Sequence, residues 1–184
     1  MSTRSCLIAT ALVSAGSIIY ASTQNVCQIH RLCETPPAFQ RMVHQPRRFT
    51  KWGFWTSPLP PSSGPVAVDD LARALFTATP YKLELILTQV EQDPAHFKIE
   101  PGNRLGNMLV LLRPSEDQAV FEYKAPPDFD WVLYLGINRV SDEAEIGFVD
   151  WSRSTLQHVG ERVYTPWLLQ AACAKLRNHD ANPK

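Results

Sequence analysis

The chain has 184 residues, 45% apolar and 20% charged, with 18 basic and 18 acidic side chains in balance. That length holds one domain and an extension, and the composition is ordinary for a globular protein. The neutral total hides a split: residues 1–68 carry Arg4, Arg31, Arg41, Arg47, Arg48 and Lys51 against Glu34 alone, so the remainder is acidic. An acidic main domain speaks against a nucleic-acid binder.

The split suggests three parts: an anchor or targeting segment at 1–33, a proline-rich linker at 34–65, and one α+β domain at 66–184. Ser5 to Ile29 contains no charged residue, and Cys6–Ala21 reads CLIATALVSAGSIIYA. As a helix, residues 5–29 reach across a bilayer core of roughly 30 Å. Three readings compete. A cleaved secretory signal has the basic start at Arg4 but no good small-x-small site, since Ile19-Tyr20-Ala21 puts the bulky Ile19 where a small residue is needed. A membrane anchor fits the charge: Arg31, Arg41, Arg47 and Arg48 follow the segment, which places the domain on the cytoplasmic or matrix-like side. A transit peptide fits the Ser, Thr and Arg content and the scarcity of acids. Anchor and transit together are favoured, giving a single-pass membrane protein of a mitochondrion or similar organelle.

Residues 34–65 hold Pro36-Pro37, Pro46, Pro58, Pro60-Pro61 and Pro65, which favours extended backbone. Within them lies RRFTKWGFW, Arg47–Trp55, where Phe49, Trp52, Phe54 and Trp55 interleave with basic residues. Such a mixture suits a membrane interface or a protein partner. The competing reading packs these rings on the domain as an extra strand.

From Val66 the signals become regular. Asp69 and Asp70 precede Leu71, Ala74, Leu75 and Ala78, a short helix stopped by Pro80. Alternation then predicts strands at Leu83–Leu87, around Phe97 and Ile99, at Val120–Ala125, at Trp131–Val140 and at Ala144–Arg153. The all-apolar run Met108–Leu112 predicts a central strand. Short connections make these an antiparallel meander of five or six strands. Thr165-Pro166 reads as the start of a longer helix carrying Leu169, Cys173 and Leu176. This C-terminal helix is expected to cover one face of the sheet.

Chemical motifs are weak. Cys27-x2-His30-x2-Cys33, with His44, is half of a metal motif, and no metal or cofactor is expected. Asp150, Ser152, Ser154 and His158 offer acid, serine and base, yet no nucleophile elbow surrounds either serine. Asp128 and Asp130 read as turn residues. The preferred function is therefore a membrane-tethered, non-enzymatic accessory, assembly or partner-binding module with its contact around Trp52–Trp55. The alternative is a small-molecule enzyme or apolar-ligand carrier. It would use a pocket between the sheet and the C-terminal helix, lined by Phe121, Tyr123, Trp131, Tyr134 and Trp167, with His158 and Asp150 at its rim.

Overall fold

A computed structural model describes residues 25–45, 50–61, 64–82, 94, 97–106, 108–125, 129–151 and 155–181. The elements in chain order are β1 (Cys27–Gln28), a 3-10 turn (Leu32–Glu34), α1 (Pro37–Val43), β2 (Lys51–Pro58) and α2 (Val68–Phe76). There follow β3 (Arg104–Leu105), β4 (Met108–Ser115), β5 (Gln118–Ala125), β6 (Phe129–Asn138), β7 (Glu143–Asp150) and α3 (Thr155–Ala181). The class is α+β, with one antiparallel sheet in the order β1-β2-β7-β6-β5-β4-β3. Seven strands stand where five or six were expected.

The meander accounts for β3 to β7, and residues 27–58 supply the additional two strands. Thus the stretch 34–65, read as an extended linker, carries both α1 and β2. Pro37 occupies the first turn of α1, where a missing N–H leaves no hydrogen bond unmade. The carboxamide of Gln40 donates to the Thr35 carbonyl at 2.7 Å and secures the turn. β2 then pairs along its whole length with β7, from Lys51 opposite Asp150 to Pro58 opposite Glu143.

Cross-strand partners share a face, so the register sorts every side chain. One face carries Trp55, Ile146, Leu135 and Ala119 in one row and Phe148, Leu133, Phe121 and Val110 in the next. Against it pack Leu71, Leu75 and Phe76 of α2 and Leu168, Leu169, Ala172 and Cys173 of α3. The opposite face carries Phe54, Tyr134 and Val120, then Trp52, Val149 and Val132, under Ala38, Phe39 and Met42 of α1. Helices therefore cover both faces, not one. Gly147 lies between Phe54 and Tyr134 in the register and leaves room for the Phe39 ring, which sits 4.9 Å from Phe54 and 5.8 Å from Tyr134.

The β6–β7 hairpin turns through Asn138, whose Oδ1 accepts from the backbone N–H of Val140 and Ser141 at 3.0 and 3.3 Å. Asp142 takes the left-handed conformation with φ 54°. α2 begins with Asp69 and Asp70; the Ala67 N–H donates to Asp70 Oδ2 at 3.2 Å. Arg113 of β4 grips Asp69 with two bonds of 2.5 and 3.3 Å, joining the strand to the helix start.

Other expectations are corrected. The run Met108–Leu112 is next to the sheet edge, not central, and a bulge between Val110 and Leu112 leaves Leu111 and Leu112 each 43% exposed. Phe97 and Ile99 form no strand but both pack on the core. The C-terminal helix starts at Thr155, ten residues before Thr165, and contains Pro166 within it. The strand expected at Leu83–Leu87 lies outside the described residues. So does most of the uncharged segment 5–29; among the described residues no helix is long and apolar enough to cross a membrane.

Candidate functional site

The sequence leaves two readings for Trp52, Phe54 and Trp55, an exposed contact patch or an extra strand packed on the domain, and the fold contains the strand. In the fold, Phe54 and Trp55 are buried on opposite faces of the sheet, 1% and 5% exposed. Trp55 stacks on Phe148 at 5.6 Å, over a position held open by Gly53. Trp52 alone of the three stays half-buried, its ring edge-on to Phe39 at 6.2 Å. Residues 46–49 lie outside the described residues, so Arg47, Arg48 and Phe49 are not placed.

Around Trp52 the surface forms a recess of about 300 Å³ lined by Gln28, Ile29, His30, Thr50, Lys51, Trp52 and Arg162. Three of those residues, His30, Lys51 and Arg162, are of basic type, and none is acidic. The recess lies where β1 leaves the sheet. β1 pairs with Thr56 and Trp55, and the Ile29 N–H then donates to the Phe54 carbonyl at 2.9 Å. Backbone groups of an antiparallel strand alternate in direction, so those of Trp52 face the same edge as those of Phe54. The aromatic–cationic patch thus contracts to a basic recess at one strand edge.

The residues expected to line a pocket under the C-terminal helix do not form one group. Phe121, Tyr123 and Trp131 share the α2/α3 face; Phe121 meets Phe76 at 5.3 Å and Tyr123 stacks on Trp131 at 4.8 Å. Tyr134 lies on the opposite face with Phe39. Trp167 on α3 is half-buried and edge-on to Tyr164 at 6.3 Å. Asp150 ends β7 and is fully buried on the helical face, in register with Lys51 and Trp131. His158 falls on α3 at a position whose side chain is outside the described set, as are Ser152, Ser154 and Asp128. The side chains of the acid–serine–base grouping therefore lie, apart from that of Asp150, outside the described set.

Cys27 and Cys33 are exposed free thiols, and Cys173 is buried, its thiol pushed up by burial. Among the described residues no three His, Cys, Asp or Glu side chains converge on a metal position.

The feature that sequence reading missed is a buried ionisable pair. The Tyr134 hydroxyl donates to Glu145 Oε2 at 3.2 Å, and the Asn138 side chain also hydrogen-bonds that carboxylate. Glu145 is 5% exposed and Tyr134 is fully buried. Burial raises both groups above their ordinary values, and neighbouring Glu143 adds to the effect on Glu145. A second cavity, about 290 Å³, opens above Glu145 and is lined also by Glu34, Thr35, Pro36, Gln118, Ile137, Asn138 and Arg139. In the sequence Glu145 alternates with Ile146, as a solvent-facing strand residue does; the turn before α1 covers it instead.

Compared with known proteins, the chain matches no protein-family model, no curated protein and no solved structure.

Proposed function

We propose that the protein is a non-enzymatic accessory module, held at an organelle or cytoplasmic membrane face by residues 5–29, that docks a partner through the Trp52 recess. The observation that carries this reading is the coincidence of that recess with the one aromatic–cationic stretch of the sequence. Lys51, His30 and Arg162 give it a basic lining, and Trp52 gives it a half-buried ring of the kind that anchors contacts. Arginine and tryptophan together favour an acidic partner segment, whose carboxylates meet guanidinium in paired hydrogen bonds.

Against the alternative of an apolar pocket under α3 stands the packing at that place. Phe121, Leu133, Leu135 and Phe148 occupy the space between sheet and helices with Phe76 and Leu169. The basic flank of the uncharged segment supports the tether.

The test uses the full chain in its native membranes. Carbonate extraction should leave the protein in the membrane pellet. Native electrophoresis should show it in a complex larger than its own 20.7 kDa. Trp52→Ala with Arg162→Glu should release it from that complex while its far-UV circular dichroism is unchanged. Recovery of the wild type as a free soluble monomer would overturn the reading.

A further inference from the structure

The Glu145 cavity is separate from the Trp52 recess, and its chemistry points elsewhere. It lies on the α1 face of the sheet, at the row formed by Thr56, Glu145, Gly136 and Gln118. We propose that this cavity binds an organic cation, an ammonium or guanidinium group held by the Glu145 carboxylate with Glu34 at its rim.

The first support is the way the carboxylate is presented. A Cβ at Gly136 would lie 2.5 Å from the Tyr134 hydroxyl oxygen, so only glycine lets that hydroxyl reach over its own strand to Glu145. Tyr134 and Asn138 fix the carboxylate from the protein side. An ionised carboxylate accepts about four hydrogen bonds, and these two partners leave acceptor capacity on a group that lines the cavity.

The second support is that three of the donor side chains around the cavity, those of Thr35, Asn138 and Arg139, are already engaged. The Thr35 hydroxyl donates to the Leu32 carbonyl at 2.7 Å. The Arg139 guanidinium is held by Asp117. The Asn138 Oδ1 accepts from two backbone N–H groups, which turns its amide nitrogen toward Glu145. With those donors engaged, the buried Glu145 carboxylate is the charged acceptor the lining presents, and a cationic donor complements it.

Charge agrees with this. Of the acids only Glu145 and Glu34 line the cavity, with Glu143 close enough to Glu145 to act on it electrostatically; Asp117 offsets the charge of Arg139, and Arg31 pairs with Glu34 at 3.7 Å. A buried carboxylate costs least when a cation pairs with it. A volume of about 290 Å³ suits a short alkyl chain with one cationic head. With no third metal-type ligand among the described residues, an organic cation fits better than a metal ion.

The experiment follows backbone amides of the full-length chain, in detergent micelles, by proton–nitrogen correlation NMR. Butylammonium and butylguanidinium chlorides are titrated against sodium chloride and uncharged butylurea. Both cations should shift the amides of Gly136, Asn138 and Glu145 saturably, and butylurea should not. Glu145→Gln, which keeps an acceptor for Tyr134, should weaken binding by at least about tenfold. N-acetyl-lysine amide serves to identify the source: binding equal to butylammonium assigns the cation to a polypeptide side chain, and exclusion assigns it to a free small amine. Equal shifts with butylurea, undiminished binding in E145Q, or saturation of the same amides by magnesium at lower concentration would each overturn the proposal. Should E145Q fail to fold, the wild type decides: its affinity must fall as the pH is lowered and Glu145 takes up its proton, and a flat profile ends the idea.

Discussion

Phe39 rests on Gly147 so closely that a Cβ added there would lie 2.6 Å from Cε2 of Phe39 and 2.6 Å from Cδ2 of Phe54. This single contact fastens the short N-terminal helix to the middle of a strand that comes more than a hundred residues later. The helix has only seven residues, too few to be stable alone, so its order depends on the buried ring.

Gly147→Ala should therefore loosen α1 as well as weaken the sheet. Inserting a methyl group between two packed rings costs about 1–3 kcal/mol, read from urea unfolding. Limited proteolysis should then cut near residues 36–45 in the variant and spare the wild type. An unchanged midpoint and cleavage pattern would show that Phe39 does not seat there.

The Glu145 carboxyl gives a pH signature. Its folded-state value lies above the ordinary 4.5, with burial as the main cause and Glu143 adding to it, opposed by hydrogen bonds from Tyr134 and Asn138. A raised value means that the folded state holds the proton more tightly than the unfolded chain. Its stabilising contribution is complete below about 4.5 and is lost as pH rises through the folded value. The wild type should gain stability relative to Glu145→Gln as pH falls from neutral toward about 4.5. Parallel unfolding midpoints across that range would contradict the burial of this group.

Thiol labelling tests the placement of the cysteines. With Cys6 replaced by serine, Cys27 and Cys33 should react with a maleimide in the native state and Cys173 only in denaturant. Cys173 is 1% exposed and packed among Leu168, Leu169 and Ala172. Rapid modification of all three would require α3 to be undocked.

Arg113 and Asp69 supply a contrast in magnitude. Their side chains are 30% and 33% exposed, so solvent screens the pair despite its short bonds. Arg113→Met should cost about 1 kcal/mol or less, and the difference should shrink in high salt. A loss as large as that of Gly147→Ala would mean that the pair is far better shielded than its exposure indicates.

Much of the fold can be read locally. The alternation Trp131, Leu133, Leu135, Ile137 gives one of the two buried faces of β6, and the acids before Leu71 mark α2 correctly. What failed depends on distant partners. Trp52-Gly53-Phe54-Trp55 can be read as the extra strand it is, but the prolines at 46, 58, 60 and 61 suggest a linker around it, and nothing nearby announces β7 as its mate. Pro36-Pro37 looks like a break because the Phe39 contact that rewards a helix lies in β7. The Glu145 cavity was illegible for the same reason. Its walls come from residues 34–36, 118, 137–139 and 145, and period-two patterning placed Glu145 toward water.

Thr56 and Glu143, hydrogen-bonded at 3.3 Å, are 87 residues apart. The pairing of β2 with β7 is thus a long-range closure, and such closures slow folding because loop entropy is lost before contacts compensate. On a ribosome, β2 would emerge early and wait until β7, which ends at Asp150, has been made, presenting Phe54 and Trp55 unpaired in the meantime. A chain in that interval exposes apolar side chains and an unpaired strand edge, the surface on which aggregation starts and which chaperones hold.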